Sequence, residues 1–184
     1  LFADGIDSGE LVWQRVKSNS ELKDNDQIII AANGYNYAIG KTIKNERLTA
    51  VEITKSNDKS TLTPNDNVQI FTLTKINDWL WGLQTENGYL GNTTEEYTVT
   101  YYAAIKNWTS WGFLFNSTSY AVQIANNHTT YPPYLYYSEN SKYFACRKTS
   151  IANLSIYKQT TGTTINYIAC TTPDAIEYTI TLHN

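Results

Sequence analysis

QIIIAANGYNYAIG, residues 27–40, sets an apolar run against an Asn-Gly turn and then a second apolar stretch that carries tyrosine. Its second half, NGYNYAIG (33–40), is echoed by NGYLGN (87–92) and, less closely, by YPPYLYYS (131–138). Aligning Tyr37, Tyr89 and Tyr134 gives intervals of 52 and 45 residues, the spacing of a repeat architecture. The flanks repeat as well. QIIIAAN (27–33), WLWGLQ (79–84) and YAVQIAN (120–126) precede the phrases, and RLTAVEI (47–53), YTVTYYA (97–103) and KYFACRK (142–148) follow them. Each unit then closes on a further run: VQIFTLTK (68–75), WGFLFNS (111–117) or NLSIYKQ (153–159), with VWQRVKS (12–18) a candidate fourth member of that class.

These runs are short, rich in aromatic and β-branched residues, and bounded by Asn, Gly, Asp and Ser, which predicts strands. No segment of about 12 residues carries an apolar stripe at helical spacing. SNSELKDNDQ (18–27) has room for one turn capped by Ser18 or Ser20. The expected fold is therefore all-β: a β-trefoil-like closed barrel of three units of roughly 45–50 residues, with another β-barrel or a β-sandwich as the alternative. Closure by pairing of the first and last strands removes exposed edges. In each phrase Asn or Gly is expected at positive φ, with the following Tyr and aliphatic residue entering a shared core layer, so NGY reads first as a turn.

The bulk composition narrows the function classes. Hydrophobic residues make up 41% and charged residues 17% of the 184, Met is absent, and Asn, Thr and Tyr are abundant, a profile that suits a secreted β-protein. A net charge of −3 with scattered signs leaves no basic stripe for a phosphate backbone, so nucleic acid is excluded as a partner. No window approaches the roughly 20 apolar residues of a membrane span, and a monomer without membrane insertion is expected. The chain opens at Leu1 with neither Met nor signal peptide, so a leader is expected to have been cleaved or left off. Cys146 and Cys170 have no metal-site spacing; one disulfide and two buried thiols are both open. The chain is expected to divide into a lead-in (1–12), the module (13–160), and a Thr/Gly linker with the stub of a following domain (161–184).

ELKDNDQIIIAANGYNYAIG (21–40), NDNVQIFTLTK (65–75), NGYLG (87–91) and IANLSIYKQT (151–160) together resemble an uncharacterised, tyrosine-rich β-module of secreted and cell-surface Bacteroidetes proteins. Members of that family typically read L-x-x-G-D-Q-I-I-I-V-A, then a tyrosine-rich turn, a Q-x-F-T-L strand and I-Y-x-Y-K-K. Here Asn25 stands where Gly is usual and Ser155 lies in the closing strand. The resemblance covers about residues 13–160 and implies an extracellular accessory module attached to other domains, such as nucleases, Ig-like modules or bacterial repeats. It carries no catalytic residues.

The residues themselves nominate no catalyst, metal or cofactor. His128 and His183 lie far apart and outside any nucleophile signature. Asp24 with Asp26, and Asn65-Asp66-Asn67, lack the rest of a calcium loop. Glu95 and Glu96 are adjacent and would face opposite ways on a strand, while Asp78 and Glu86 flank the segment with Trp79 and Trp81, which keeps a hydrolase only as a second alternative. Asn-X-Ser/Thr triplets begin at Asn92, Asn107, Asn116, Asn127 and Asn153, an accident of composition in a bacterial chain.

Binding is the stronger reading. Five tryptophans and fifteen tyrosines exceed what one small core needs, and aromatic faces stack on sugar rings while Asn, Asp and Gln satisfy hydroxyls. Among Trp79, Trp81, Trp108, Trp111, Tyr131, Tyr134, Tyr136 and Tyr137, the set Trp79, Trp81 and Trp111 is expected in the core, because Trp79 and Trp81 share one strand face, as do Tyr134 and Tyr136. Tyr131, Tyr137 and Trp108 are expected at the surface, and YPPY preorganises Tyr131 and Tyr134. The expected ligand site is Tyr131, Tyr134, Tyr137, Trp108 and Asn127, taking a glycan without catalysis; the alternative is a spacer or docking module for a neighbouring extracellular domain.

Overall fold

The chain is all-β. The computed structural model describes residues 11–92, 98–128 and 133–161. β1 (Leu11–Arg15) leads to β2 (Gln27–Ala32), β3 (Tyr37–Lys44) and β4 (Arg47–Glu52); a small hairpin, β5 (Thr54–Lys55) and β6 (Thr61–Thr63), precedes β7 (Phe71–Lys75). The next set is β8 (Leu80–Thr85), β9 (Gly88–Gly91), β10 (Thr100–Tyr102) and β11 (Ser110–Phe115). The last is β12 (Val122–Asn126), β13 (Tyr134–Ser138), β14 (Tyr143–Arg147) and β15 (Leu154–Thr161). Every run read as a strand overlaps one, and the tyrosine phrases themselves add β3, β9 and β13.

The first and last strands of each set hydrogen-bond into a closed antiparallel ring, β2–β7–β8–β11–β12–β15 and back to β2. The middle strands form the hairpins β3–β4, β9–β10 and β13–β14. Val12–Thr160 is one compact unit. The expected lead-in and tail fall, but for Leu11, Val12 and Thr161, outside the described residues. Residues 19–21 form a single 3-10 turn; the Ser18 side chain caps no backbone group there, and Glu21 instead accepts the Lys17 N–H at 3.1 Å.

Residues 28–32 are apolar at consecutive positions because both faces of β2 are covered. Ile28, Ile30 and Ala32 enter the main core, while Ile29 and Ala31 join a second cluster with Trp13, Leu62 and Tyr157. A strand buried on two sides reads as a continuous run rather than an alternation. β1 and β6 supply the second cover, pairing Trp13 with Leu62. All three isoleucines are wholly buried, each contributing about 2 kcal/mol of hydrophobic stabilisation.

The turn phrases are less alike than their letters. Gly88 takes φ 113°, but Gly34 stays out of the left-handed region, with open space where a Cβ would stand. The core alignment also slips. Leu90 and Leu135, which follow Tyr89 and Tyr134, share the main core with Ile39, whereas Ala38, which follows Tyr37, lies in the second cluster. A one-residue shift in phase sends a side chain to the other face of its strand. Asn25 adopts φ 66°, the left-handed region that Gly and Asn tolerate best.

Cys146 is a free thiol, fully buried, and burial pushes its pKa up; Cys170 lies outside the described residues. Among the described residues no helix is long and apolar enough to cross a membrane. Tyr157 donates its hydroxyl to the Lys59 carbonyl at 3.0 Å, and burial pushes its pKa up to about 12 from the ordinary 10.0. A pKa raised by folding supplies stability that is complete below the unfolded value and is lost as pH climbs through the folded one. The urea midpoint of the wild type is therefore expected to exceed that of Tyr157→Phe by a constant margin up to about pH 10, a margin that shrinks toward pH 12. A margin independent of pH over that window would contradict the burial of this hydroxyl.

Candidate functional site

The structure divides the residues that the sequence nominated. Trp108, in a 3-10 turn (Asn107–Thr109), is half-buried and packs edge-on against Tyr102 at 6.3 Å. Its carbonyl accepts from the Asn92 N–H at 2.9 Å and from Asn126 Nδ2 at 2.8 Å, so this residue ties strands together. Asn127 is exposed, and its N–H donates to the Ser110 carbonyl at 2.8 Å. Asn126 donates to the Pro133 carbonyl at 3.0 Å, which brings Tyr134, half-buried at the start of β13, to the same end of β11 and β12. Tyr131 lies outside the described residues, as do Glu95, Glu96 and His183.

Two exposure expectations are overturned. Tyr137 is only 4% exposed, because Leu135 and Tyr137, not Tyr134 and Tyr136, form the main-core face of β13. Trp79 is 75% exposed, although Trp81 and Trp111 are buried as expected. β8 begins at Leu80, so strand alternation does not reach Trp79. It sits in a turn whose backbone is held by Asn77, with Oδ1 accepting from the N–H groups of Trp79 and Leu80 at 2.8 and 2.9 Å.

Carboxylates elsewhere act as staples. Asp24 accepts the Lys75 N–H at 2.7 Å, Asp26 accepts the Lys23 N–H at 2.7 Å and pairs with Lys158 at 3.4 Å, and Asp78 pairs with Lys75 at 2.9 Å. Among the described residues no group of three or more His, Cys, Asp or Glu side chains is placed to hold a metal ion.

The buried Tyr137 anchors a tyrosine surface that the sequence did not nominate. The Tyr37 ring stacks on it at 5.8 Å and 18°, and the Tyr35 ring leans on it at 5.6 Å, with Phe144 packed beneath at 5.0 Å. Asn153 clamps the anchor, donating Nδ2 to the Tyr137 carbonyl at 2.9 Å and accepting its N–H at 3.3 Å. Lys55 Nζ donates to the Tyr35 carbonyl at 2.8 Å, and burial lowers its pKa to about 8. Tyr35 is 41% exposed.

Polar groups border these rings. Tyr37 donates its hydroxyl to Glu52 at 3.1 Å, and hydrogen bonding to Glu139 pushes the Tyr35 hydroxyl above its usual pKa. Lys142 Nζ lies 5.4 Å from the centre of the Tyr37 ring, and the Tyr37 hydroxyl raises its pKa, which keeps it charged. Lys142 also lines a cavity of about 300 Å³ between the β3–β4 and β13–β14 hairpins. The pairing of β14 with β4, Tyr143 with Thr49 and Phe144 with Leu48, holds these two hairpins side by side.

The repeated tyrosine at positions 35 and 37, two residues apart, was the available signal for this surface. What it lacked was the phase of β13 and the partner strand. No protein-family model and no curated protein matches this chain.

Proposed function

We propose that this protein is a non-catalytic, extracellular glycan-binding module, monomeric, with its ring closed as a β-trefoil-type barrel. Its ligand lies against Tyr35 and Tyr37, between the hairpins of the first and third units. The carrying observation is the exposed Tyr35 ring set with Tyr37 on a buried Tyr137, bordered by Glu52, Glu139 and Lys142. Stacked rings offer an apolar face to the C–H side of a sugar, and the carboxylates and ammonium answer its hydroxyls. The resemblance to an extracellular β-module supports the location, and the set Trp108, Asn127, Tyr134 and Tyr131 remains a second aromatic region to be tested in the same way. Because Trp79 is so exposed on a braced turn, docking to a neighbouring domain is the second reading.

A glycan array probed with the wild type and with Tyr35→Ala tests the proposal. Loss of one stacking ring is expected to weaken binding at least about tenfold, the equivalent of roughly 1.4 kcal/mol. Retained binding in Tyr35→Ala would move the site elsewhere, to Trp108 or Trp79; an array silent for the wild type would sink the glycan reading and leave the docking one.

A further inference from the structure

We propose that the cavity between the β3–β4 and β13–β14 hairpins seats the carboxylate or sulfate of an acidic saccharide, so that the module selects anionic over neutral glycans. This rests on the glycan-binding reading above. The cavity is lined by Lys44, Arg47 and Lys142 together with Asn45, Thr49, Ser141 and Tyr143, and no carboxylate is among its lining residues. Such a cluster is unexpected in a chain with 17 acidic and 14 basic residues. The ion pairs among the described residues are Lys75–Asp78 and Lys158–Asp26, so all three cations are without one.

Geometry adds to the charge. The Arg47 guanidinium carbon lies 4.5 Å from the centre of the Tyr143 ring, a contact that restrains the side chain; among the described residues neither its N–H groups nor Lys44 Nζ makes a hydrogen bond. A planar fork held in this way matches the two oxygens of a carboxylate or sulfate. Leu48, wholly buried, and Ala50 give the cavity an apolar floor, which strengthens electrostatic attraction above it. Two of its lining residues stand in turns of defined shape, Asn45 at φ 50° and Lys142 at φ 48°. β3 runs from Ile39 to Ile43 while β4 runs only from Ala50 to Leu48, an irregularity of the kind that re-aims side chains at sites. Lys142 joins the cavity to the Tyr37 ring, and Glu52 and Glu139 border the tyrosines rather than the cavity. An anion in the cavity thus leaves its sugar ring along the tyrosines.

Calorimetric titration of the full chain with tetragalacturonate, its methyl ester, a sulfated galacto-tetrasaccharide and inorganic sulfate provides the test. The free acid or the sulfated sugar is expected to bind at least about tenfold tighter than the ester at low salt, the sum of several partly solvated charge contacts, with the gap closing as salt rises. Which of the two anionic sugars binds identifies the anion. Lys44→Gln and Arg47→Gln are expected to bring the anionic sugar down to the affinity of the ester; Lys44 is exposed, so its variant tests the charge without disturbing the Tyr143 contact. Equal affinity for acid and ester would overturn the selectivity and leave the glycan reading standing, and Tyr35→Ala would then still weaken both. Inorganic sulfate bound as tightly as the sugars would overturn the saccharide seat. Failure of every sugar to bind would overturn both readings.

Discussion

Trp111→Ala is expected to lower the unfolding free energy by about 5 kcal/mol, the largest single effect foreseen for this chain. Trp111 lies on β11, where the ring pairs it with Trp81 on one side and Asn126 on the other, and it is wholly buried. Truncation removes the largest fully buried side chain, at about 3–5 kcal/mol for a core aromatic. It also strands the Leu90 carbonyl, which accepts from Trp111 Nε1 at 2.8 Å, and an abandoned buried acceptor costs about 1–3 kcal/mol more. Against a typical total of about 5–15 kcal/mol, such a variant is close to unfolded at body temperature. Trp81 is the internal control: its Nε1 is buried without a partner, so Trp81→Phe loses no hydrogen bond and is expected to cost less than Trp111→Phe. Urea midpoints of the three variants measure this. If Trp111→Ala lost less than about 2 kcal/mol, the core around it would have to collapse far more readily than packed interiors do.

Gly88→Ala is expected to cost about 3 kcal/mol, whereas Gly34→Ala, in the look-alike Asn-Gly of the first phrase, is expected to be neutral or stabilising by up to about 1 kcal/mol. Gly88 holds φ 113°, which an L side chain rarely adopts, and a Cβ there would stand 2.4 Å from the Tyr102 carbonyl oxygen of β10. That oxygen is backbone and cannot rotate away, so β10 itself must shift. Around Gly34 nothing lies within 4 Å and its φ is outside the left-handed region, so a methyl group only restricts the unfolded chain. Equal effects from the two substitutions would show that the two turns are energetically equivalent despite their different backbones.

The all-β class was legible because the apolar runs are short and are punctuated by Asn, Gly and Asp. The repeat was legible too, but with an error of one residue. Tyr37, Tyr89 and Tyr134 align as letters, while Ile39, Leu90 and Leu135 align in the core, and sequence periodicity of two cannot choose between neighbouring phases when a phrase holds both tyrosine and aliphatic residues. The same ambiguity misplaced Tyr137. Trp79 was misplaced for a different reason: it precedes β8, so a rule about strand faces did not apply to it.

The sequence by itself determined that this chain is built of strands, where most of those strands run, and which residues are apolar enough to fill a core, because backbone pleat and side-chain hydrophobicity act locally. Only the tertiary structure decided which aromatics meet solvent and which charges meet one another. Tyr35 and Tyr37 come to Tyr137, and Lys44 and Arg47 come to Lys142, across about a hundred residues of chain through the pairing of β4 with β14. A pairing between strands so distant is specified by closure of the whole ring, and no local pattern encodes it.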